Sequence, residues 1–202
     1  RGSYTALVTP FKNGAVDETA FQHLAERQIE AGAHGLVPVG TTGEVSTLTV
    51  PEQHRLITLC VEVAGGRVPV IAGCGSNDTC QAAAHLNHAK KVGADAGLVV
   101  TPYYNKPDQR GLEAHFRALA DAVEIPLILY NVPGRTVSDI KPETVARLAA
   151  HPNVIGIKDA TGEMGRVAAH RLACGADFIQ LSGDDASALA YNAAGGVGAL
   201  SV

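Results

Sequence analysis

Short apolar runs recur along the chain at nearly constant spacing, with helical patterns between them. The runs are Ala6–Thr9, Leu36–Gly40, Val68–Ala72, Leu98–Thr101, Leu127–Tyr130, Val154–Lys158, Phe178–Ser182 and Val197–Val202. They are continuous rather than alternating, the signature of strands buried on both faces. Asp17 opens the first helix, which carries Phe21, Leu24, Ala25 and Ile29 on one face and ends at Gly32. Thr49-Val50-Pro51-Glu52 has capping-box spacing, and the helix it opens stops at Gly65-Gly66. Asn77 or Asp78 caps a third that ends at Gly93, and Phe116, Leu119, Ala120 and Val123 stripe a fourth. Shorter helical patterns fill 142–151, 163–174 and 185–194.

Eight strands alternating with seven helices predict a parallel sheet with right-handed crossovers, and eight units favour a closed (β/α)8 barrel over an open doubly wound sheet. Gly73-Cys74-Gly75 follows a strand but lacks the third glycine of a dinucleotide fingerprint. Pro38 lies inside the second run, where its missing N–H predicts a local irregularity. No helix pattern follows the eighth strand and no methionine opens the chain. The expectation is one catalytic barrel domain over residues 1–202, truncated after strand eight, with strands eight and one partly uncovered.

The chain has 202 residues, 46% hydrophobic and 18% charged, with net charge −4, which excludes a disordered chain and argues against nucleic-acid or anionic-membrane partners. No apolar run has the length of a membrane span, and no signal-peptide hydrophobic region is present, so a cytoplasmic location is expected. Cys60, Cys74, Cys80 and Cys174 form no CxxC pair and read as reduced thiols packed as small apolar groups. His85 and His88 share a helix face without accompanying ligands and read as surface residues; no metal site is expected.

In a parallel barrel the chemistry sits at the C-terminal strand ends. Those ends carry hydroxyls, tyrosines and one lysine. Lys158 leaves a buried strand with its amine toward the mouth, where desolvation would free some of it to attack a carbonyl. The alternative is a lysine ion-paired to Asp159 or Glu44. Tyr130, ending the neighbouring strand, is placed to shuttle protons, or else simply packs. Gly40-Thr41-Thr42-Gly43-Glu44 is either a cradle for a small carboxylate or an ordinary turn. Arg135, on a Pro-Gly turn, is either a carboxylate clamp or a surface arginine.

Val39–Glu44, Thr101–Asn105, Tyr130–Thr136, Gly156–Gly162 and Leu181–Asp185, in that order, resemble the dihydrodipicolinate synthase family of pyruvate-dependent Schiff-base lyases. The resemblance implies condensation of pyruvate with aspartate semialdehyde to 4-hydroxy-tetrahydrodipicolinate, on the route to lysine and diaminopimelate. It assigns Lys158 to the imine, Tyr130 to proton donation and acceptance, Thr41 to the proton relay, and Thr42 to the pyruvate carboxylate. Tyr104 would reach into a neighbouring subunit's site, implying at least a dimer and, beyond that, a tetramer. Arg135 would take the semialdehyde carboxylate, and backbone at Gly183 and Leu200 would line the pyruvate pocket. The family's barrel carries a C-terminal helical region not seen here, and the chemistry requires no metal or organic cofactor. Many members are inhibited by lysine at positions matching Val45, Ser46, Val50, Gln53, Asn77, Gln81 and Tyr103. Val45, Val50, Gln53 and Gln81 depart from the polar, histidine or carboxylate side chains of strongly inhibited members, so feedback is expected to be weak or absent. The nearest alternatives are N-acetylneuraminate lyase and 2-keto-3-deoxy sugar-acid aldolases. A phosphate-binding barrel isomerase is disfavoured by Asp184 and Asp185, and an inactive barrel fragment is the third reading.

Overall fold

The computed structural model describes all residues, 1–202. Ten strands and eight helices follow in order: β1 Gly2–Ala6, β2 Phe11–Lys12, β3 Ala15–Val16, α1 Glu18–Glu30, β4 Gly35–Val37, α2 Val50–Ala64, β5 Ile71–Gly73, α3 Thr79–Val92 and β6 Ala96–Val100. The second half comprises α4 Gln109–Ala122, β7 Leu127–Asn131, the single turn α5 Pro133–Thr136, α6 Pro142–Ala149, β8 Val154–Asp159, α7 Gly165–Cys174, β9 Ile179–Ser182, α8 Ala188–Ala193 and β10 Gly198–Ser201.

Eight strands form one parallel sheet in the order β4-β1-β10-β9-β8-β7-β6-β5. Its two ends meet through a single bridge, Leu36 to Val70, with Leu36 N–H donating to Pro69 and Gly73 N–H to Pro38. The expected (β/α)8 barrel is therefore present. The helix signals hold too. Asp17 accepts from Ala20 N–H, Thr49 and Glu52 form a reciprocal capping box, and Asp78 rather than Asn77 caps α3. Gly65 and Gly93 end α2 and α3 in the left-handed region.

Several boundaries differ from expectation for identifiable reasons. The first strand runs over Gly2–Ala6 rather than Ala6–Thr9. It alternates, Tyr4 and Ala6 packing inside while Ser3 stays exposed, so it lacks the apolar run of its neighbours. Ser3 is exposed and Thr5, Ala199 and Ser201 are half-buried, so β1 and β10 are incompletely covered on their outer faces. The second strand ends at Val37 because Pro38 follows and Val39 takes φ +58°. Asn13-Gly14, both at positive φ, turn the β2–β3 hairpin, which the apolar runs do not reveal.

The core has two layers. Leu36, Leu86, Phe116, Leu127, Leu129 and Ile157 pack between barrel and helices, while Ala6, Val37, Ile71, Leu98, Ile128, Tyr130 and Leu200 fill the barrel. A register shift opposite Leu127-Ile128 leaves Ile155 unpaired, after which Tyr130 pairs with Lys158 and Asn131 with Asp159. The pleat then sends Ile157 to the outer layer and Lys158 into the barrel with Tyr130.

Two expectations are corrected. His85 is buried, not at the surface, because α3 lies on α2: His54 Nε2 and His85 Nδ1 are 3.2 Å apart, and the His54 and His88 rings stack with centroids 4.0 Å apart. All four cysteines are free thiols, but only Cys60 and Cys74 are buried; Cys80, in the first turn of α3, is exposed. No helix is long and apolar enough to cross a membrane.

Candidate active site

At the C-terminal end of the barrel lies a cavity of about 410 Å³. Thr41, Thr42, Tyr130, Arg135, Lys158, Gly183 and Leu200 all line it. A larger hollow of about 640 Å³ beside Arg1 and Arg171 is lined by backbone-rich Gly195–Ala199 and contains no carboxylate, thiol or imidazole.

Lys158 is 8% exposed, and its Nζ lies 4.3 Å from the centroid of the Tyr130 ring. It forms no ion pair with Asp159 or Glu44. Asp159 faces outward, its Oδ1 accepting from Thr161 N–H at 2.8 Å and Thr161 Oγ1–H at 2.6 Å. Burial pushes the Lys158 amine down to about 8; the Asp185 carboxylate pulls it up and the Arg135 charge pushes it further down. At neutral pH roughly a tenth of such an amine is unprotonated and nucleophilic. In the sequence Asp185 reads only as a charge that disfavours phosphate, with no part beside Lys158. It accepts from Ser201 Oγ–H and lies on the cavity wall. Its position two residues past Gly183, at a strand end, is the signal that could have found it.

Tyr130 is buried, which pushes its phenol above the usual range; a contact from the Thr41 side chain and the Arg135 charge oppose that rise. Thr41 and Thr42 sit on a 3-10 turn closed by Gly43 N–H to Gly40, followed by left-handed Glu44. Thr9 Oγ1–H donates to Gly43 O at 2.7 Å and ties the turn to the end of the first strand. Gly183 is needed for space: a Cβ there would stand 2.7 Å from Lys158 Cε and 3.0 Å from Ala160 Cβ. Arg135 projects from α5, whose Thr136 hydroxyl is held in a buried bond to Ser138 O.

The structure does not bring Tyr104 to this cavity. It is 88% exposed, at φ +71°. Six of the seven positions assigned to lysine feedback, all but Asn77, line a second cavity of about 460 Å³ that shares Thr41 and Arg135 with the first. No group of three or more His, Cys, Asp or Glu side chains is arranged to hold a metal ion.

The sequence model of the dihydrodipicolinate synthetase family matches residues 1–202. The chain belongs to this family. It is 64% identical to the 4-hydroxy-tetrahydrodipicolinate synthase of Hyphomonas neptunium over 203 residues, covering all of this chain and 69% of that protein. Among solved members, dihydrodipicolinate synthase from Aquifex aeolicus superposes with a TM-score of 0.98 at 45% identity, over all of this chain and 69% of that one. The chloride-inhibited dihydrodipicolinate synthase of Acinetobacter baumannii, solved with pyruvate, gives 0.96 at 49% identity with the same coverage.

Proposed function

We propose that this chain condenses pyruvate with aspartate semialdehyde through a Schiff base on Lys158. The observation that carries the reading is a buried lysine, its amine pushed down to about 8, over the ring of Tyr130 in a cavity that also holds two adjacent threonines. The free amine attacks the ketone carbon of pyruvate, giving a carbinolamine. Tyr130 protonates the departing hydroxyl, water leaves and the imine forms. The protonated imine then serves as the electron sink. The substrate methyl loses a proton to a neighbouring oxygen base, and the resulting enamine attacks the aldehyde carbon of the second substrate. Its alkoxide is protonated in the mouth. The substrate's own amine then displaces Lys158 from the former ketone carbon, closing the ring and restoring the lysine. One water is lost overall, and no metal or organic cofactor takes part in any step.

Thr42 and the N–H groups of its turn suit the pyruvate carboxylate, and Arg135 at the rim suits that of the semialdehyde. The clamp for a second carboxylate favours this substrate over a sugar acid. The exposed Tyr104 supports self-association as at least a dimer, in which it would approach a partner's mouth. Incubation with pyruvate and borohydride, followed by intact mass measurement, tests the reading: one reduced pyruvate adduct is expected, and Lys158→Ala should abolish it. Turnover of sialic acid or keto-deoxy sugar acids in place of the condensation would overturn it.

A further inference from the structure

We propose that Gly73 and Val39 form a backbone clamp that positions Thr41 against Tyr130, which makes Gly73 a positioning residue for proton transfer. The proposal rests on the reading of the mouth given above. β4 and β5 are joined by one bridge and two flanking hydrogen bonds, so little ladder holds the chain as it leaves β4. Two residues beyond the strand, past Pro38, Val39 takes φ +58° while only 2% exposed. A β-branched residue is strained there, and such strain persists only where its surroundings enforce it.

Gly73 supplies that enforcement. Its N–H donates to Pro38 O at 3.0 Å, and its Cα lies so close to the turn that a Cβ would fall 2.1 Å from Val39 O and 2.9 Å from Gly40 N. The Val39 side chain is locked into the outer core on the other side. Two residues later comes Thr41, and Gly43 beyond it is tied down by Thr9. A small cavity of about 40 Å³ beneath this crossing is bordered by Val39, Gly40, Thr41, Gly73 and Tyr130. Thr41 thus takes its place relative to β7 from the Val39–Gly73 contact and not from a strand ladder.

Alanine at 73 would meet backbone, not a flexible side chain, so the turn must move. In the intact protein, Gly73→Ala is expected to lower kcat by about 10- to 100-fold, the range associated with a misplacement on the order of 1 Å. KM for pyruvate should change far less, and borohydride trapping on Lys158 should persist. The basic limb of the pH–rate profile should move upward as Tyr130 loses the contact from Thr41. Because Gly73 acts through Thr41, Gly73→Ala combined with Thr41→Val should be no slower than Thr41→Val alone. Should Gly73→Ala fail to fold, adding Val39→Gly gives the backbone freedom to yield, and that double variant is expected to fold and remain slow. Wild-type kcat in either folded variant, or losses that multiply with Thr41→Val, would overturn the clamp. Absence of a pyruvate adduct in the unsubstituted protein would instead overturn the reading of the mouth.

Discussion

Gly183, the first residue beyond β9, and Lys158 on the neighbouring β8 leave no room between them for a methyl group: the missing Cβ would lie 2.7 Å from Lys158 Cε and 3.1 Å from its Cγ. Gly183→Ala is therefore expected to displace the lysine stem without unfolding the barrel, since the φ of Gly183 lies outside the left-handed region. Pyruvate adduct formation should slow by about 100-fold, with far-ultraviolet circular dichroism unchanged. Adduct formation at the wild-type rate would show that the stem has slack the packing does not reveal.

On the proposed reading, the ionisation of Lys158 should set one limb of the pH dependence. With the amine at about 8, adduct formation should rise with pH and level off above that value. Asp185 favours the ammonium form, so Asp185→Asn should move the limb to lower pH and speed adduct formation at pH 7. Stopped-flow or quenched trapping across pH 6–10 reads this directly. A shift to higher pH would mean that Asp185 does not face the amine.

Acid should weaken the α2–α3 contact. Partial burial and the neighbouring charges of His88 and His85 push His54 down to about 4. Its folded value lies below its unfolded one, so its contribution is complete above about 6.5 and is lost as pH falls from there toward 4. The thermal midpoint should fall over this window, and His54→Gln should flatten part of the fall. An unchanged slope would place the acid sensitivity elsewhere, with buried His115, also pushed down to about 4, as the next residue to replace.

Free lysine should inhibit weakly or not at all. The second cavity is lined by Gln53, Gln81, Val45 and Val50 and contains no carboxylate, while Arg135 adds a positive charge. Free lysine, which carries two ammonium groups and one carboxylate, finds no opposite charge there for its amines. Activity in millimolar lysine should stay within about twofold of the control, and Gln81→Glu should increase sensitivity. Strong inhibition of the unsubstituted protein would refute the expectation.

Much of this architecture could be read from the chain because parallel strands buried on both faces leave continuous apolar runs and glycine or carboxylate caps mark the helices. Lys158 and Tyr130 were legible as strand-end residues, and their direct pairing depends on the Ile155 irregularity, which no apolar pattern encodes. The burial of His85 depends on which helix lies beside α3, a tertiary fact. The Asn13-Gly14 hairpin carried a plain turn signal but only two-residue strands, too short to register as runs. Asp185 was legible as a charge at the mouth but not as a partner of Lys158, because a carboxylate in a loop looks the same whether it faces water or an amine.

The thin join between β4 and β5 divides the mouth into two mechanical halves. Lys158 stands where β7, β8 and β9 are paired residue by residue, so the proposed nucleophile is held by continuous ladder on both sides. Thr41 emerges beside the seam, where thermal opening of the ring has the fewest hydrogen bonds to break. On the proposed reading, covalent capture falls to the wall stiffened by ladder, while the Thr41 hydroxyl relies on the Val39–Gly73 contact and the Thr9 tie to stay in place beside a seam that cannot hold it.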